Sequence, residues 1–468
     1  MASNFERSAR CFGAALLLAA CVSSRAGYQE VHAQVRDRLG FDAQGLGGDA
    51  AAREQARRLL EAPLDADRAA QVALLRSPRA ALALEIIERA RARAQSLGRI
   101  PNPDAELGAR FGGGRSSPTL DASVTLDLTS LIVLGYQVPA GRAELAASRA
   151  DALDELLALA YTARRAFFRQ QAAEQTVELE SNALAAADAA REATRALHEA
   201  GNTTDLDWAQ REAAYLEASV KVRSAKAAAS AQREQLLGVL GLAASESKVR
   251  IGGPLQSLPE HEPDWSAAER NANEHSLAIA SAEQKRRAAE LRHDAATVRS
   301  VLPHLGAGVG AEREENRWGT GPLVELELPL FYQGQAERAS TLSDERAFSA
   351  LRDQAALDVH ATCRAVLERL SASRQRVLLY EQELLPMRQR VLDEALLQYN
   401  AMSMGVYQLL EMQRALTATQ VAHLSALLDY WLQRTDLEQL LAGSKLATAA
   451  SDGAAPSEVS QMGTGHGH

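Results

Sequence analysis

Three methionines lie close together in the C-terminal quarter of the sequence, at Met402, Met404 and Met412. Their thioether sulfurs are soft ligands, so a metal site built from them would suit Cu(I). Methionine also gives adaptable packing where two proteins meet, and this use needs no metal. The residue types and their spacing therefore leave both a soft-metal site and a protein contact open.

Residues that carry out catalysis do not occur in a recognisable pattern. His198 and Glu199 lack the second histidine of a zinc-binding helix. Gly306, Gly308 and Gly310 alternate as glycines do in a strand, which differs from the glycine turn of a nucleotide site. The sequence has neither a nucleophile elbow nor a phosphate-binding loop. We therefore expect no enzyme activity, no cofactor and no catalytic metal.

The N-terminal residues have the features of a lipoprotein signal peptide. Arg7 and Arg10 precede a short apolar run that is too short to cross a bilayer. The run ends in Leu-Ala-Ala before Cys21, which resembles the lipobox of bacterial lipoproteins, where the cysteine is acylated and becomes the new N-terminus. The alternative is a cytosolic start with an accidental apolar run. By the same resemblance, Val22 gives no signal for retention in the inner membrane, because an aspartate would be needed there.

The composition predicts long helices that pack closely side by side. Of the 468 residues, 46% are hydrophobic, 24% are charged and only 4% are aromatic. Small and straight-chain residues in such proportions suit extended helices better than several globular cores. The formal net charge of −9 is spread along the chain, and the absence of a basic block argues against a nucleic-acid partner.

Four short segments alternate apolar and polar residues with a period of two. This alternation, with charged residues on one face, is typical of a barrel strand with lipid outside and water inside. Glycine-rich stretches at Gly112–Gly114 and Asn316–Gly321 are expected to form the loops between paired strands. The four segments are Ala105–Phe111, Val124–Thr129, Leu305–Ala311 and Val324–Leu328.

A very long helical pattern follows each pair of strand segments. The first runs from Gly141 to about Ala200 and resumes from Asp205 to Leu240, and the second runs from Gly334 to about Asn400 and resumes from Val406 to Leu441. Apolar stripes with steps of three and four predict packing against neighbouring helices on both sides. Pro386 interrupts the second pattern and predicts a kink.

The two halves repeat the same order of elements, which predicts an internal duplication. Ala200-Gly201-Asn202 aligns with Ala401-Met402-Ser403 at the breaks between the helices. The expected segments are a signal peptide at 1–20, a tether and equatorial segment at 21–64, a first repeat at 65–240, a linker at 241–265, a second repeat at 266–443 and a disordered tail at 444–468.

Over nearly its whole mature length the chain resembles the TolC, or outer-membrane-factor, family. The resemblance implies a mainly α protein with a small β portion, in which long antiparallel coiled-coil helices form an α-barrel. Four strands per subunit would join a shared trimeric transmembrane β-barrel. The residues that carry the resemblance are Leu326–Phe331, Ala200–Asp207, Tyr399–Met402 and Asp429–Trp431.

The resemblance also implies functional positions at the two breaks between helices. Gly201, Asn202, Thr204, Met402, Met404 and Gly405 would form periplasmic tips that contact a partner. Acidic residues just past the tips line a constriction in the family, and these positions fall on Asp207 and Gln210 in the first repeat and on Gln408 and Glu411 in the second. Gln408 departs from the usual aspartate, so the acidic girdle is expected to be weaker. The alternative for Asp207 and Glu411 is a solvated helix face.

The function implied is that of an outer-membrane efflux channel in a Gram-negative bacterium, lipid-anchored and with a large periplasmic portion. Its partners would be two further copies of itself, a periplasmic adaptor, an inner-membrane pump and outer-membrane lipid. Asn400–Gly405 and Asp429–Trp431 resemble the heavy-metal subgroup of the CzcC and CusC kind, which implies metal cations as cargo. The alternatives are a periplasmic coiled-coil adaptor and a structural lipoprotein without channel activity.

Overall fold

The computed structural model describes residues 26–41, 46, 50–110, 119–243, 249–314 and 317–446. Long helices dominate it, and a small sheet lies beyond one end of them. The helices are α1 Ala26–Leu39, α2 Ala50–Glu61, α3 Ala66–Arg76, α4 Pro78–Leu97, α5 Leu128–Glu199, α6 Asp205–Leu240, α7 Ala268–His275, α8 Leu277–Val301, α9 Gln335–Leu379, α10 Leu385–Asn400 and α11 Val406–Leu441. The strands are β1 Asp104–Arg110, β2 Thr119–Asp127, β3 Leu305–Glu314 and β4 Arg317–Leu326.

Helix α5 begins at Leu128, earlier than the sequence indicated. The side chain of Asp127 accepts a hydrogen bond from the backbone N–H of Ser130 at 3.1 Å and so caps the first turn. Leu128 and Thr129, predicted as strand, are therefore helical, and Pro139 lies inside the helix. With 72 residues α5 is about 108 Å long, at about 1.5 Å per residue.

The four strands form one antiparallel sheet in the order β1-β2-β3-β4. Strand β2 of the first repeat pairs directly with β3 of the second, with Val124 opposite Val309. The stretch from residue 317 to 321, predicted as a loop, belongs to β4, where Gly319 lies opposite Glu312. Phe111, Gly112–Gly114 and Asn316 lie outside the described residues.

Two helical hairpins extend away from the sheet and confirm the internal duplication. Hairpin 1 consists of α5 and α6, and hairpin 2 consists of α9, α10 and α11. Between α9 and α10 the chain makes a π-helical turn at Tyr380–Leu384. Pro386 follows at once, in the first turn of α10, where its missing N–H disturbs the helical ladder least. The predicted interruption at Pro386 thus takes the form of a π turn just before it.

The buried core lies where the short helices pack on the hairpins. It includes Leu74 of α3, Leu156 of α5 and Leu437 of α11, each fully buried. Towards the distal ends of the hairpins fewer residues are buried, and Leu206, Leu216 and Val220 of α6 are exposed. These residues belong to an apolar helical stripe, so a single chain leaves its predicted packing surface uncovered.

The C-terminal part of the linker between the repeats is held by the carboxylate of Glu262. This carboxylate accepts hydrogen bonds from the Tyr430 hydroxyl, from Arg374 at 3.0 Å and from the Trp265 indole at 3.3 Å. Trp431 adds a hydrogen bond from its indole N–H to the Gln256 carbonyl at 2.8 Å. Tyr430 and Trp431 thus attach the linker to α11, which gives the Asp-Tyr-Trp sequence a structural role.

Candidate functional site

One face of the sheet is apolar from edge to edge. Residues paired across strands point to the same side of a sheet and alternate along each strand. Leu107, Val309 and Val324 therefore share a face, and they are 87%, 60% and 70% exposed. The face comprises Ala105, Leu107, Ala109, Leu120, Ala122, Val124, Leu126, Leu305, Ala307, Val309, Ala311, Pro322, Val324 and Leu326, and it ends at Thr320, Trp318 and Arg313.

The opposite face is polar. Apart from Leu323, it carries acidic, basic, hydroxyl and glycine residues, among them Glu106, Glu312 and an ion pair between Arg110 and Asp121 at 3.1 Å. Strands β3 and β4 each have 10 residues, the length that a tilted strand needs to cross a bilayer. A sheet with one exposed apolar face and one polar face therefore suits a boundary between lipid and water.

The first tip, residues 200–204, closes hairpin 1 with a left-handed glycine. Gly201 has φ +76°, a conformation that glycine adopts without steric cost. The N–H of Asn202 donates to the carbonyl of Leu197 at 2.8 Å, and the N–H of Gly201 donates to that of His198 at 2.9 Å. This arrangement ends α5 with its last carbonyls satisfied.

Asp207 is part of the cap that begins α6. The Thr204 hydroxyl accepts from the N–H of Asp207 at 3.1 Å and donates to its carboxylate at 2.7 Å. A second hydroxyl, that of Thr203, lies 3.3 Å from the same carboxylate. The hydrogen bond from Thr204 is the main cause that lowers the pKa of Asp207, so the tip keeps an ionised carboxylate at the helix start.

The second tip, residues 401–405, repeats this geometry with different side chains. Met402 takes the place of Gly201, with φ 59°, and it is 95% exposed. The N–H of Ser403 donates to the carbonyl of Gln398 at 2.9 Å, as Asn202 does in the first tip. At the start of α11 the Gln408 side chain accepts from the N–H of Gly405 at 3.0 Å. Gln408 thus caps the start of α11, which gives the glutamine at this position a structural role.

Two contacts join the hairpins just past the tips. The Arg211 guanidinium of α6 lies over the Tyr407 ring of α11, 5.2 Å from its centre. Arg414 of α11 pairs with Glu411 at 3.1 Å and reaches Glu217 of α6 at 3.7 Å. The negative charge of Glu411 is therefore partly compensated within its own chain.

The fold matches that of known outer-membrane channels. The outer-membrane channel OprN aligns with a TM-score of 0.70 and 16% identity over 88% of this chain and 95% of that chain. The MtrE outer-membrane channel of Neisseria gonorrhoeae gives 0.66 and 18% over 81% and 89%, and CusC gives 0.66 and 14% over 84% and 92%. No family model and no curated protein matches the sequence.

The chain has the fold of an outer-membrane channel subunit. The resemblance to the TolC family is thereby confirmed at the level of the fold, including the mainly α architecture with a small sheet. Within this channel fold the predicted tip residues lie together at the two hairpin ends. Cys21 and residues 447–468 of the tail predicted at 444–468 lie outside the described residues, so lipid on Cys21 stays a prediction. Ser444, at the start of the predicted tail, is buried and donates a hydrogen bond to the Asp154 carbonyl.

No helix among the described residues is both long and apolar enough to cross a membrane. In the same part of the chain, no group of three His, Cys, Asp or Glu residues could hold a metal ion.

The sequence alone does not indicate the contact of Arg211 with Tyr407. Arg211 lies four residues after Asp207, which is the spacing of an exposed ion pair on a helix surface. The structure instead buries Arg211 under a ring that lies 196 residues away in the sequence. Nothing in the local pattern signals this contact, because it depends on how the two hairpins pack.

Proposed function

We propose that three copies of this chain form an outer-membrane channel that works in efflux, together with a periplasmic adaptor and an inner-membrane pump. The observation that carries the proposal is the uncovered apolar face of the four-stranded sheet. An exposed apolar surface of this extent needs another apolar phase beside it. With the polar face turned towards water, lipid is the phase that the sheet fits best.

The number of strands favours several copies. Four strands cannot close a barrel, and the smallest outer-membrane barrels have eight. Unpaired edges in lipid would leave backbone groups without hydrogen bonds, so β1 and β4 need partners. Three copies would give twelve strands, and the exposed apolar stripe on α6 would pack against a neighbouring copy.

The lipid boundary is supported by the segment after β4. Phe331 and Tyr332 are both exposed where the chain leaves the sheet for the helices. Aromatic side chains are favoured at the level of lipid headgroups. We place the periplasmic edge of the bilayer at these two residues.

The hairpin tips are the proposed contact with the adaptor and pump. They lie at the end of the hairpins remote from the sheet, and Gly201, Asn202, Thr204, Met402 and Gly405 are exposed there, while Met404 is half-buried. Two hairpins from one chain also argue against an adaptor, which would have one hairpin and a separate β-rich domain.

The constriction is proposed to form from Asp207, Gln408 and Glu411. Asp207 is ionised, and threefold symmetry would make a ring of its carboxylates that favours cations. Gln408 adds no charge, and Arg414 reduces that of Glu411. We therefore propose a constriction that is only moderately selective for cations.

The test is the conductance of the purified protein in planar bilayers. We expect pores with a preference for cations, and this preference should fall in Glu411→Gln. The matched control is Glu368→Gln, an exposed acid on α9 remote from the tips, which should leave selectivity unchanged. A protein that forms no pores would contradict the channel proposal, and equal selectivity in Glu411→Gln would remove Glu411 from the constriction.

Heavy-metal cations are the proposed cargo, because Met402 presents an exposed soft sulfur at the second tip. We expect Cu(I) to bind the purified protein in competition with a chelator and Met402→Leu to weaken that binding. Equal Cu(I) binding by both proteins would assign Met402 to protein contact instead.

A further inference from the structure

A groove between the two hairpins lies beside the contact of Arg211 with Tyr407. Its volume is about 480 Å³, within the range of small-molecule sites. Helix α5 contributes residues 180–187, α6 contributes 210–221, and α11 contributes 407–421. The apolar part of its wall is made largely of alanines, which leave room beside the helices: Ala183, Ala186, Ala187, Ala213, Ala214, Ala218 and Ala418.

Arg211 is the unusual member of this lining. It is only 5% exposed, and its Nε makes no hydrogen bond. Within the described residues no carboxylate oxygen lies within 4.0 Å of its guanidinium, whose close neighbour is the Tyr407 ring. The carboxylates of Asp207 and Glu411 act on the guanidinium from beyond that distance, but burial outweighs them and lowers the pKa of Arg211. The charge is therefore only partly compensated, and an anion in the groove would be stabilised there.

The remaining charges of the groove limit the kind of anion. Arg414 is already paired with Glu411 and Glu217, while Lys221 is exposed to solvent. Glu180 adds a third carboxylate to the lining. Three carboxylates would repel a multiply charged ligand such as a polyphosphate, whereas one negative charge can be satisfied at Arg211. The groove is thus suited to a monoanion.

We propose that this groove binds a monoanionic amphiphile, with a carboxylate on Arg211 and a short apolar chain along the alanine-lined wall. Guanidinium and carboxylate form two parallel hydrogen bonds when the site is dry, which favours this head group. The chain would lie between Leu410 and Val421 of α11 and the small residues of α5 and α6. Binding would connect the two hairpins at a point where one cation–π contact and one ion pair now join them.

The site does not depend on channel activity, because the groove is built from one chain. The proposal of a ligand site and the proposal of a channel can therefore be refuted separately. Conductance tests the channel, and ligand titration tests the groove. The probe is octanoate, a carboxylate with a short apolar chain. Octanol, which has the same chain without the charge, reports how much binding is due to apolar contact alone.

The experiment is a calorimetric titration of the purified oligomer in a non-ionic detergent. We expect octanoate to bind at least tenfold more tightly than octanol. Arg211→Gln should weaken octanoate at least tenfold and leave octanol unchanged. The control is Arg223→Gln, which removes an exposed arginine from the same helix and should change neither. Circular dichroism and the oligomer mass verify that each variant is folded.

A second variant tests the apolar half of the site. Ala218→Leu fills the wall without changing any charge, so it should weaken octanoate and octanol alike. Octanoate binding that persists in both Arg211→Gln and Ala218→Leu would overturn the proposal. No octanoate binding to the unaltered protein would also overturn it, and would mean that another group compensates Arg211.

Discussion

Replacement of Tyr430 by phenylalanine should loosen the linker between the two repeats. Tyr430 is fully buried, and its hydroxyl donates to the Glu262 carboxylate. Burial is the main cause that raises the pKa of Tyr430 to about 12, so the hydroxyl keeps its proton at neutral pH. The substitution removes this donor from a carboxylate whose side chain is only 20% exposed, while Arg374 and Trp265 keep their hydrogen bonds.

The size of the effect follows from the charge of the acceptor. A hydrogen bond to a charged group contributes about 1.5–3 kcal/mol, and two remaining donors place the loss near the middle, at about 2 kcal/mol. Since about 1.4 kcal/mol is a factor of ten, the population of the open linker should rise about 30-fold. Hairpin 1 should be unaffected, because it contacts the linker through Gln171 and Gln175 and not through Glu262.

Hydrogen exchange with mass spectrometry measures this directly, because local opening exposes backbone amides. We expect the amides of residues 256–265, the part of the linker held by Tyr430 and Trp431, to exchange about 30-fold faster in Tyr430→Phe. Tyr399→Phe is the control, since it removes the same atom from an exposed tyrosine of α10. An increase below threefold, or an equal increase in the control, would refute the view that Glu262 and Tyr430 attach the linker to α11.

The tips give two further predictions. The pKa of Asp207 is lowered in the folded protein, so its stabilising effect is complete above the ordinary aspartate pKa of about 3.9 and is lost as the pH falls through the lower folded value. Exchange at residues 200–208, corrected for intrinsic pH dependence, should therefore rise below about pH 4, and Asp207→Asn should abolish this rise; a pH-independent tip would contradict the cap. Met402→Gly should stabilise the second tip by about 1 kcal/mol, because a left-handed conformation strains a side chain. Met402→Ala keeps the Cβ atom and should gain little, so equal exchange in the two variants would exclude strain at Met402.

Much of the fold could be predicted from local signals. Helices α6 and α11 begin at the predicted residues because Thr204 and Gly405 end the turns that precede them. The alignment of Gly201 with Met402 is also confirmed, since both take the left-handed position that ends a helix. Signals of this kind lie within a few residues of the helix start or helix end that they specify.

Features that depend on a single capping residue or on distant partners were predicted less well. The start of α5 was placed too late because Pro139 and its β-branched neighbours resemble a loop or strand, while the cap of Asp127 rests on a single residue. In the local sequence Gly319 resembles a loop residue, and only its pairing with β3 makes it part of a strand. The burial of Arg211 needs Tyr407, which lies on the other hairpin. Tertiary packing decides the last two, and the local sequence pattern does not indicate it.

The central claim is that several copies of this chain close one channel in the outer membrane. The most direct measurement is the native mass of the protein extracted from the outer-membrane fraction in mild detergent. We predict three times the mass of the mature chain, found in the outer-membrane fraction. A monomer, or a protein recovered outside that fraction, would contradict the claim, because the apolar face of the sheet would then have no lipid and its edges no partner.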